Sequence, residues 1–313
     1  MAIYRPYAVK IHPDSIVSAV ILADLLSLSD EVQHETRAEV TAANTVPTHV
    51  SHVARKPMVS GATYALSQFL DNVGVFGLPI KSTLNPGIVS YYQQFDDQGG
   101  AVSGGSHRSL TYGNGLLIPK TLRVDHQGDA RLDWELHVIG DGTNAPVTIS
   151  DTASLPSVSQ APGRWTLGPV TLGGASFTKY KSLELEFGLD VQVNGSQSAL
   201  DPTFLEVRTA SPKITLTGVD PAWFASGKVT AGGLVVANAT DTIYLRKRSQ
   251  DASHFVANGT SGHIKIVPAG LAGVGKSAGA EMQRVSETTI VITCAKDSNG
   301  NAPIVITTDT TIS

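Results

Sequence analysis

The sequence predicts a mainly β, antiparallel fold carrying one amphipathic helix, and three observations predict it. Ala130, Leu132, Trp134, Leu136 and Val138 alternate with Arg131, Asp133, Glu135 and His137. Leu183, Leu185, Phe187, Leu189 and Val191 alternate in the same way with Glu184, Glu186, Gly188, Asp190 and Gln192. A period of two is that of a strand with one dry face and one wet, charged face. Second, 30 glycines and only 16% charged residues suit many strands joined by tight turns, and 41% apolar content is too high for a disordered chain. Third, the last third of the chain is a series of short apolar runs, GLVVAN, TIYLRKR, GHIKIVP, TTIVITC and PIVITTD, separated by glycine or polar turns.

The elements follow in order. Residues 1–58 carry weak patterning: Ser15 to Leu28 reads as a helix or a buried strand, with its β-branched residues favouring the strand, and Glu31 to Ala43 is polar and mixed. This segment is either a peripheral hairpin or an arm that orders against a partner. Residues 60–73 give the clearest helix, with Ser60 as cap, an apolar stripe of Ala62, Leu66, Phe69, Leu70 and Val73, and Gly74 as stop. Tyr91, Gln93 and Phe95 share one face of a short strand. The glycine-rich stretch 96–115 then reads as a long polar loop. Pro119 precedes the long strand region 122–139, and Asp141 to Asp151 reads as a turn and loop. Trp165 to Leu172 is a strand closed by a turn at Gly173–Gly174, and a second long strand spans 183–193. Asp201–Pro202 opens another strand, Pro212 breaks it, and Asp220 to Phe224 reads as a short capped helical turn. No low-complexity linker divides the chain, so 59–313 reads as one β domain.

Chemistry finds little footing. The net charge of −4 gives no reason for tight nucleic-acid binding. A single cysteine, Cys294, excludes an internal disulfide and a thiolate metal cluster, and its apolar neighbours predict a buried, inert thiol. Gly270 to Ser277 matches the phosphate-loop pattern G-x-x-x-x-G-K-[ST] letter for letter, with Lys276 and Ser277 as the phosphate and magnesium contacts. Such a loop must open a βαβ unit, and strand-like segments surround this one, so a glycine-rich turn between strands accounts for the letters. His49 and His52 form the one close histidine pair, without a third ligand. The carboxylates of Asp133, Glu135, Glu184 and Glu186 sit where a solvated strand face needs them, and no G-x-S-x-G elbow is present. Arg246-Lys247-Arg248 is the one tight basic cluster and reads as a surface salt-bridging turn. The sequence therefore points away from an enzyme and away from any cofactor or metal. The amino-terminal residues lack a secretion signal, and the apolar run near residue 20 is interrupted by Asp24 and too short to span a bilayer, so an unexported soluble chain without a membrane association is expected.

The order of certain pieces adds to this. Leu70-Asp71-Asn72-Val73-Gly74 ends the helix. Ser106-His107-Arg108 and Gly115-Leu116-Leu117-Ile118-Pro119 follow, then the alternating 130–138 strand with Asp141-Gly142-Thr143-Asn144-Ala145-Pro146. Leu167 to Gly174, the 183–193 strand and Asp201-Pro202-Thr203-Phe204 complete the series. Over residues 59–313 this series resembles the tail tube (major tail) proteins of long-tailed bacteriophages, while residues 1–58 match no part of that pattern. The resemblance implies a two-sheet antiparallel sandwich or half-barrel with one flanking helix, six copies forming a ring and four strands of each copy closing an inner β-barrel. Stacked rings would make the tube through which genomic double-stranded DNA passes at ejection without specific binding. Carried onto this sequence, Asp133, Glu135, Glu184, Glu186 and Asp190 become candidates for an acidic, DNA-repelling lumen. Asp96, Asp97, His107, Arg108 and Tyr112 become candidates for a ring-stacking loop. The implied partners are further copies of the chain, a tape measure protein during assembly, and tail terminator and distal tail or baseplate proteins. The implied location is the virion tail, assembled in the host cytoplasm. Another phage structural component (capsid or baseplate), or a β-rich binding module, is the competing reading of the same letters.

Overall fold

The structure, a computed structural model, describes residues 3–12, 19–40, 45–47, 49–81, 87–96, 98–104, 106–141, 143–158, 163–195, 199–218, 234–236, 241–250, 254–276, 288–296 and 300–312. The chain begins with β1 (Ile3–Ile11), β2 (Val20–Leu22) and the long strands β3 (Leu25–Glu39) and β4 (His49–Thr63), then turns into the helix α1 (Leu66–Val73). β5 (Leu78–Ile80), β6 (Ile88–Phe95), β7 (His107–Tyr112), β8 (Asn114–Asp125), β9 (Arg131–Ile139) and β10 (Val147–Ala153) follow. Next come β11 (Trp165–Leu172), β12 (Ala175–Phe177), β13 (Tyr180–Glu186), β14 (Leu189–Asn194), β15 (Phe204–Ala210) and β16 (Lys213–Gly218). The last are β17 (Leu234–Val236), β18 (Thr242–Lys247), β19 (His263–Pro268), β20 (Gly270–Lys276), β21 (Thr288–Cys294) and β22 (Ile304–Thr310). Strands make up 64% of the described residues, so the mainly β expectation holds.

Ten strands form a central sheet in the order β17-β20-β21-β16-β13-β8-β9-β4-β3, with β5 pairing β8 beside that path. Two five-stranded sheets, β10-β7-β6-β1-β2 and β12-β11-β18-β19-β22, pack with it, and β14-β15 is a separate two-stranded ribbon. All three large sheets feed one core. Leu132, Trp134, Leu136, Leu183, Leu185, Ile214 and Ile290 come from the central sheet, Ile11, Leu22 and Ile88 from the first small sheet, and Ile243, Ile264 and Ile304 from the second. Among the described residues the strands thus form four sheets where two were expected.

Helix α1 fills the space where the three sheets meet, touching β2, β8 and β22, one strand from each. Leu66, Phe69, Leu70 and Val73 are buried at helical spacing, and the Thr308 hydroxyl donates a hydrogen bond to Asp71. Burying four such side chains contributes about 1.5–3 kcal/mol each before chain entropy is counted. The helix starts later than its letters imply. Ser60 to Thr63 pair with both β3 and β9, so they stay extended, and the Thr63 hydroxyl rather than Ser60 accepts from the Ala65 amide at 3.0 Å. Gly74, at φ 72°, ends the helix as expected, with its amide on the Leu70 carbonyl. The same β4 strand runs through the boundary expected at residue 58, and β1 pairs with both β2 and β6. The amino-terminal residues are therefore part of the sheets.

Trp134 fixes the register between β9 and β4. It stands directly opposite Gly61, and a β-carbon added to Gly61 would lie 2.3 Å from the indole. Trp134 also packs on Phe69 with ring centroids 6.4 Å apart, so one buried indole ties helix, β4 and β9 together. Gly61→Ala is expected to lower unfolding free energy by about 2 kcal/mol, within the range for overpacked cores. A fall in the urea midpoint without a change in slope would show it.

Candidate functional site

The alternation seen in the sequence builds the outer face of the central sheet. On β9, Leu132, Trp134, Leu136 and Val138 are buried, while Arg131 is exposed and Asp133, Glu135 and His137 are half-buried on the other side. On β13, Leu183 and Leu185 are buried and Glu184 and Glu186 point outward. β8 lies between them: Glu184 is level with Arg123, Glu186 with Thr121, and Thr121 with Asp133. Sequence alone ran 122–139 together, but it is a hairpin. Asp125 opens a turn in which the Gly128 amide donates to the Asp125 carbonyl at 2.9 Å, and aspartate at the first position of the turn with glycine at its fourth was a legible signal.

Pro119 does not precede the strand but sits within β8, at a bulge between Pro119 and Thr121. A proline has no amide to give the ladder, which suits it to such a bulge. There the Lys120 ammonium lies 3.2 Å from Glu135. The other carboxylates are matched in the same way. Arg123 donates to Glu184 at 2.8 Å, Arg131 lies 2.7 Å from Asp133, and Lys213 lies 4.0 Å from Glu186. Burial holds His137 below its ordinary pKa, with Glu135 pulling the other way and Lys120 reinforcing the burial. Four carboxylates on this face thus stand against Lys120, Arg123, Arg131 and Lys213, so the patch is locally charge-balanced rather than plainly acidic.

Asp190 is not on this sheet. The alternating pattern runs on through 183–193, yet the strand stops at Glu186 and restarts at Leu189. Gly188 has φ 61°, and a β-carbon there would meet the Ser211 carbonyl oxygen at 2.2 Å. The chain kinks at this glycine and continues as the β14-β15 ribbon. The ribbon covers Leu116 and Ile118, which face outward from β8, with Leu189, Val191 and Leu205. The expected single strand 183–193 is therefore two, and Asp190 is carried off on the second.

The expected stacking loop is also different. Residues 107–112 form β7 in a five-stranded sheet rather than part of a loop. His107 is buried, and its Nδ1 accepts from the Gln94 amide at 3.2 Å. Tyr112 is buried, its hydroxyl donating to Asp30 on β3; burial, then the Asp30 charge and that bond, raises its pKa. Arg108 reaches Asp151 at 2.6 Å and lies 4.5 Å over the Tyr4 ring. These three are strand residues with neighbours in their own chain. Asp96 does lie in an exposed turn, accepting from the Gln98 and Gly100 amides at 2.9 and 2.7 Å. Asp97 lies outside the described residues.

What sequence reasoning left unresolved is a projecting arm. β3 and β4 pair along their whole length, but β4 meets β9 only from Met58 to Thr63. Beyond that point the hairpin runs on without β9. Its midpoint is tied down where Arg55 donates to both carboxylate oxygens of Asp201, at 2.9 and 2.5 Å, and its amide bonds the Leu200 carbonyl. Towards the tip, Val40, Val46 and Val50 are 58%, 65% and 64% exposed.

The catalytic-looking motifs resolve into strands and pairs. Gly270–Lys276 is β20, bonded to β17 on one side and β21 on the other, so its amides sit in ladders rather than in a phosphate cradle. The first glycine of the pattern is set by the strand pairing, since a β-carbon on Gly270 would lie 2.1 Å from the Thr293 carbonyl oxygen. Ser277 and the helical turn read at Asp220 to Phe224 lie outside the described residues. Cys294 is buried, and burial raises its thiol to about 11. The expected salt-bridging turn is instead the end of β18, which holds Arg246 and Lys247: Arg246 bonds the Asn258 side chain at 3.1 Å, and Arg248 just beyond lies 2.7 Å from Asp129. Among the described residues no group of three His, Cys, Asp or Glu is placed to hold a metal ion, and no helix is long and apolar enough to cross a membrane. No protein-family model matches the sequence, and comparison with curated proteins finds no relative.

Replacing Glu184 and Asp133 by glutamine and asparagine leaves Arg123 and Arg131 without their carboxylates. Exposed pairs of this kind are worth about 0–1 kcal/mol, so the thermal midpoint is expected to move little. Retention on a heparin column is expected to rise clearly above that of the parent chain.

Proposed function

We propose that this protein is a structural subunit that works by assembling with copies of itself, as the tail tube proteins of long-tailed bacteriophages do. The observation that carries the reading is the patch formed by β4, β9, β8 and β13, four neighbouring antiparallel strands. One face of it is core, and the other presents matched charges. In a ring of copies these strands are the ones to line a channel. A channel that passes DNA must not hold it, and unpaired arginines would capture phosphates through counterion release. Here Arg123 and Arg131 are each answered by a carboxylate on the same face. In this reading the lining resists adhesion by balanced charge, with the carboxylates keeping the cations occupied.

The hairpin arm takes over the role first assigned to 96–115. It carries exposed valines and main-chain edges beyond the sheet, features that favour pairing with another chain. In this reading, stacking between rings runs through the β3-β4 arm. The tape measure, terminator and baseplate partners, the virion location and the hexameric count belong to the same proposal.

The chain at high concentration is expected to sediment as rings and longer stacks. Val46→Asp with Val50→Asp is expected to keep the circular-dichroism spectrum and shorten the stacks to single rings. A parent chain that stays a monomer across a wide concentration range would sink the reading.

A further inference from the structure

A cavity of about 570 Å³ opens at the seam between the central sheet and the second five-stranded sheet, at the end of β8 and the start of β13. It owes its existence to a bulge. β11 and β18 pair from Trp165 to Leu167 and again from Val170, with a register shift between, so Gly168 and Pro169 bow out of the ladder. The bow is required where Gly168 stands, because a β-carbon there would lie 2.6 Å from the Tyr244 carbonyl oxygen. Tyr180 steadies the opening from the other side: its hydroxyl donates to the Gly168 carbonyl, and its ring stacks on Phe177 at 5.8 Å.

The charges around this cavity are one-sided. His126, Lys179, Lys181 and Arg246 line it, and among the described residues no aspartate or glutamate does, although the chain as a whole is net acidic. The backbone holds two of these groups together, since the His126 amide donates to the Lys181 carbonyl at 2.6 Å. Arg246 is fixed in place by the Asn258 side chain at 3.1 Å and by the Phe255 ring 5.3 Å away. Its Nε is nevertheless buried without a hydrogen-bond partner among the described residues. A buried guanidinium nitrogen left in that state carries a desolvation penalty that an incoming acceptor would remove. Leu167, Val170 and Phe177 supply an apolar wall beside the cations. Such a combination, an apolar wall with convergent donors of one sign, is that of a small-molecule site.

We propose that this cavity binds a small oxyanion-bearing molecule, its phosphate or carboxylate group held by Arg246 with Lys179 and its body against the Phe177–Tyr180 wall. Arginine suits the role because its planar fork meets two oxygens of either group at once.

Isothermal titration of the full chain with inorganic phosphate and, separately, with citrate at low ionic strength tests it. At least one of the two is expected to bind more tightly than about 1 mM. Binding of phosphate alone would assign a phosphoryl ligand, and binding of citrate alone a carboxylate. Arg246→Gln is expected to weaken binding by about tenfold or more, the worth of a charge-assisted bond. Lys179→Gln, on an exposed segment, is expected to weaken it by about threefold with an unchanged melting curve, and serves where Arg246→Gln fails to fold. Absence of binding by both anions, or binding that neither folded variant alters, would overturn the site.

Discussion

Everything on the outer face depends on the contact between Trp134 and Gly61 on the inner one. The indole occupies the space a β-carbon of Gly61 would need, and it packs at the same time on Phe69 of the helix. A register slip of one residue between β4 and β9 would place a side chain under the ring and turn every outward residue of β9 into the core. The constraint is steric, and its effect is electrostatic: it keeps Asp133, Glu135 and His137 outward. It also decides where the arm begins, because β4 leaves β9 at Met58 and only β3 accompanies it further.

Two local departures from a regular strand then shape the charged face. The bulge at Pro119 brings Lys120 within reach of Glu135, and the kink at Gly188 ends β13 and folds the ribbon over Leu116 and Ile118. The first adds a cation to the patch, and the second removes a carboxylate, Asp190, along with two apolar side chains that water would otherwise meet. Both move the face toward charge balance. Individually the surface pairs contribute little to stability. Their consequence lies in what the face offers a polyanion.

The fold was legible wherever burial is one-sided and turns carry their own chemistry. The alternation from Ala130 to Val138, the Gly173–Gly174 turn with both residues at positive φ, and the break at Pro212 are all found where the letters place them. The charged face was legible for the same reason, but its neutrality was not, since Arg123 and Lys213 meet Glu184 and Glu186 only across strands distant in sequence. The kink was hidden because leucine, phenylalanine and valine alternate straight through Gly188. Ser60 to Ala62 carry helix-like letters, and pairing with β9 overrides them. His107 and Tyr112 read as loop residues because their partners, the Gln94 amide and Asp30, lie elsewhere in the chain. The letters left residues 1–58 open between a peripheral hairpin and an arm because a strand exposed on both faces has no hydrophobic period to show.

In the proposed reading these strands form a surface that other copies of the chain complete. Sheet edges, a projecting hairpin and a balanced outer face have a common use in a closed ring, where edges pair and the face turns inward. Electron cryomicroscopy of particles grown from the purified chain tests that arrangement most directly. The account predicts closed rings with Arg123, Asp133, Glu135 and Glu184 turned toward the central channel and the β3-β4 arm crossing to the next ring. Rings with those four residues on the outer surface, or with the arm folded back on its own subunit, would contradict it.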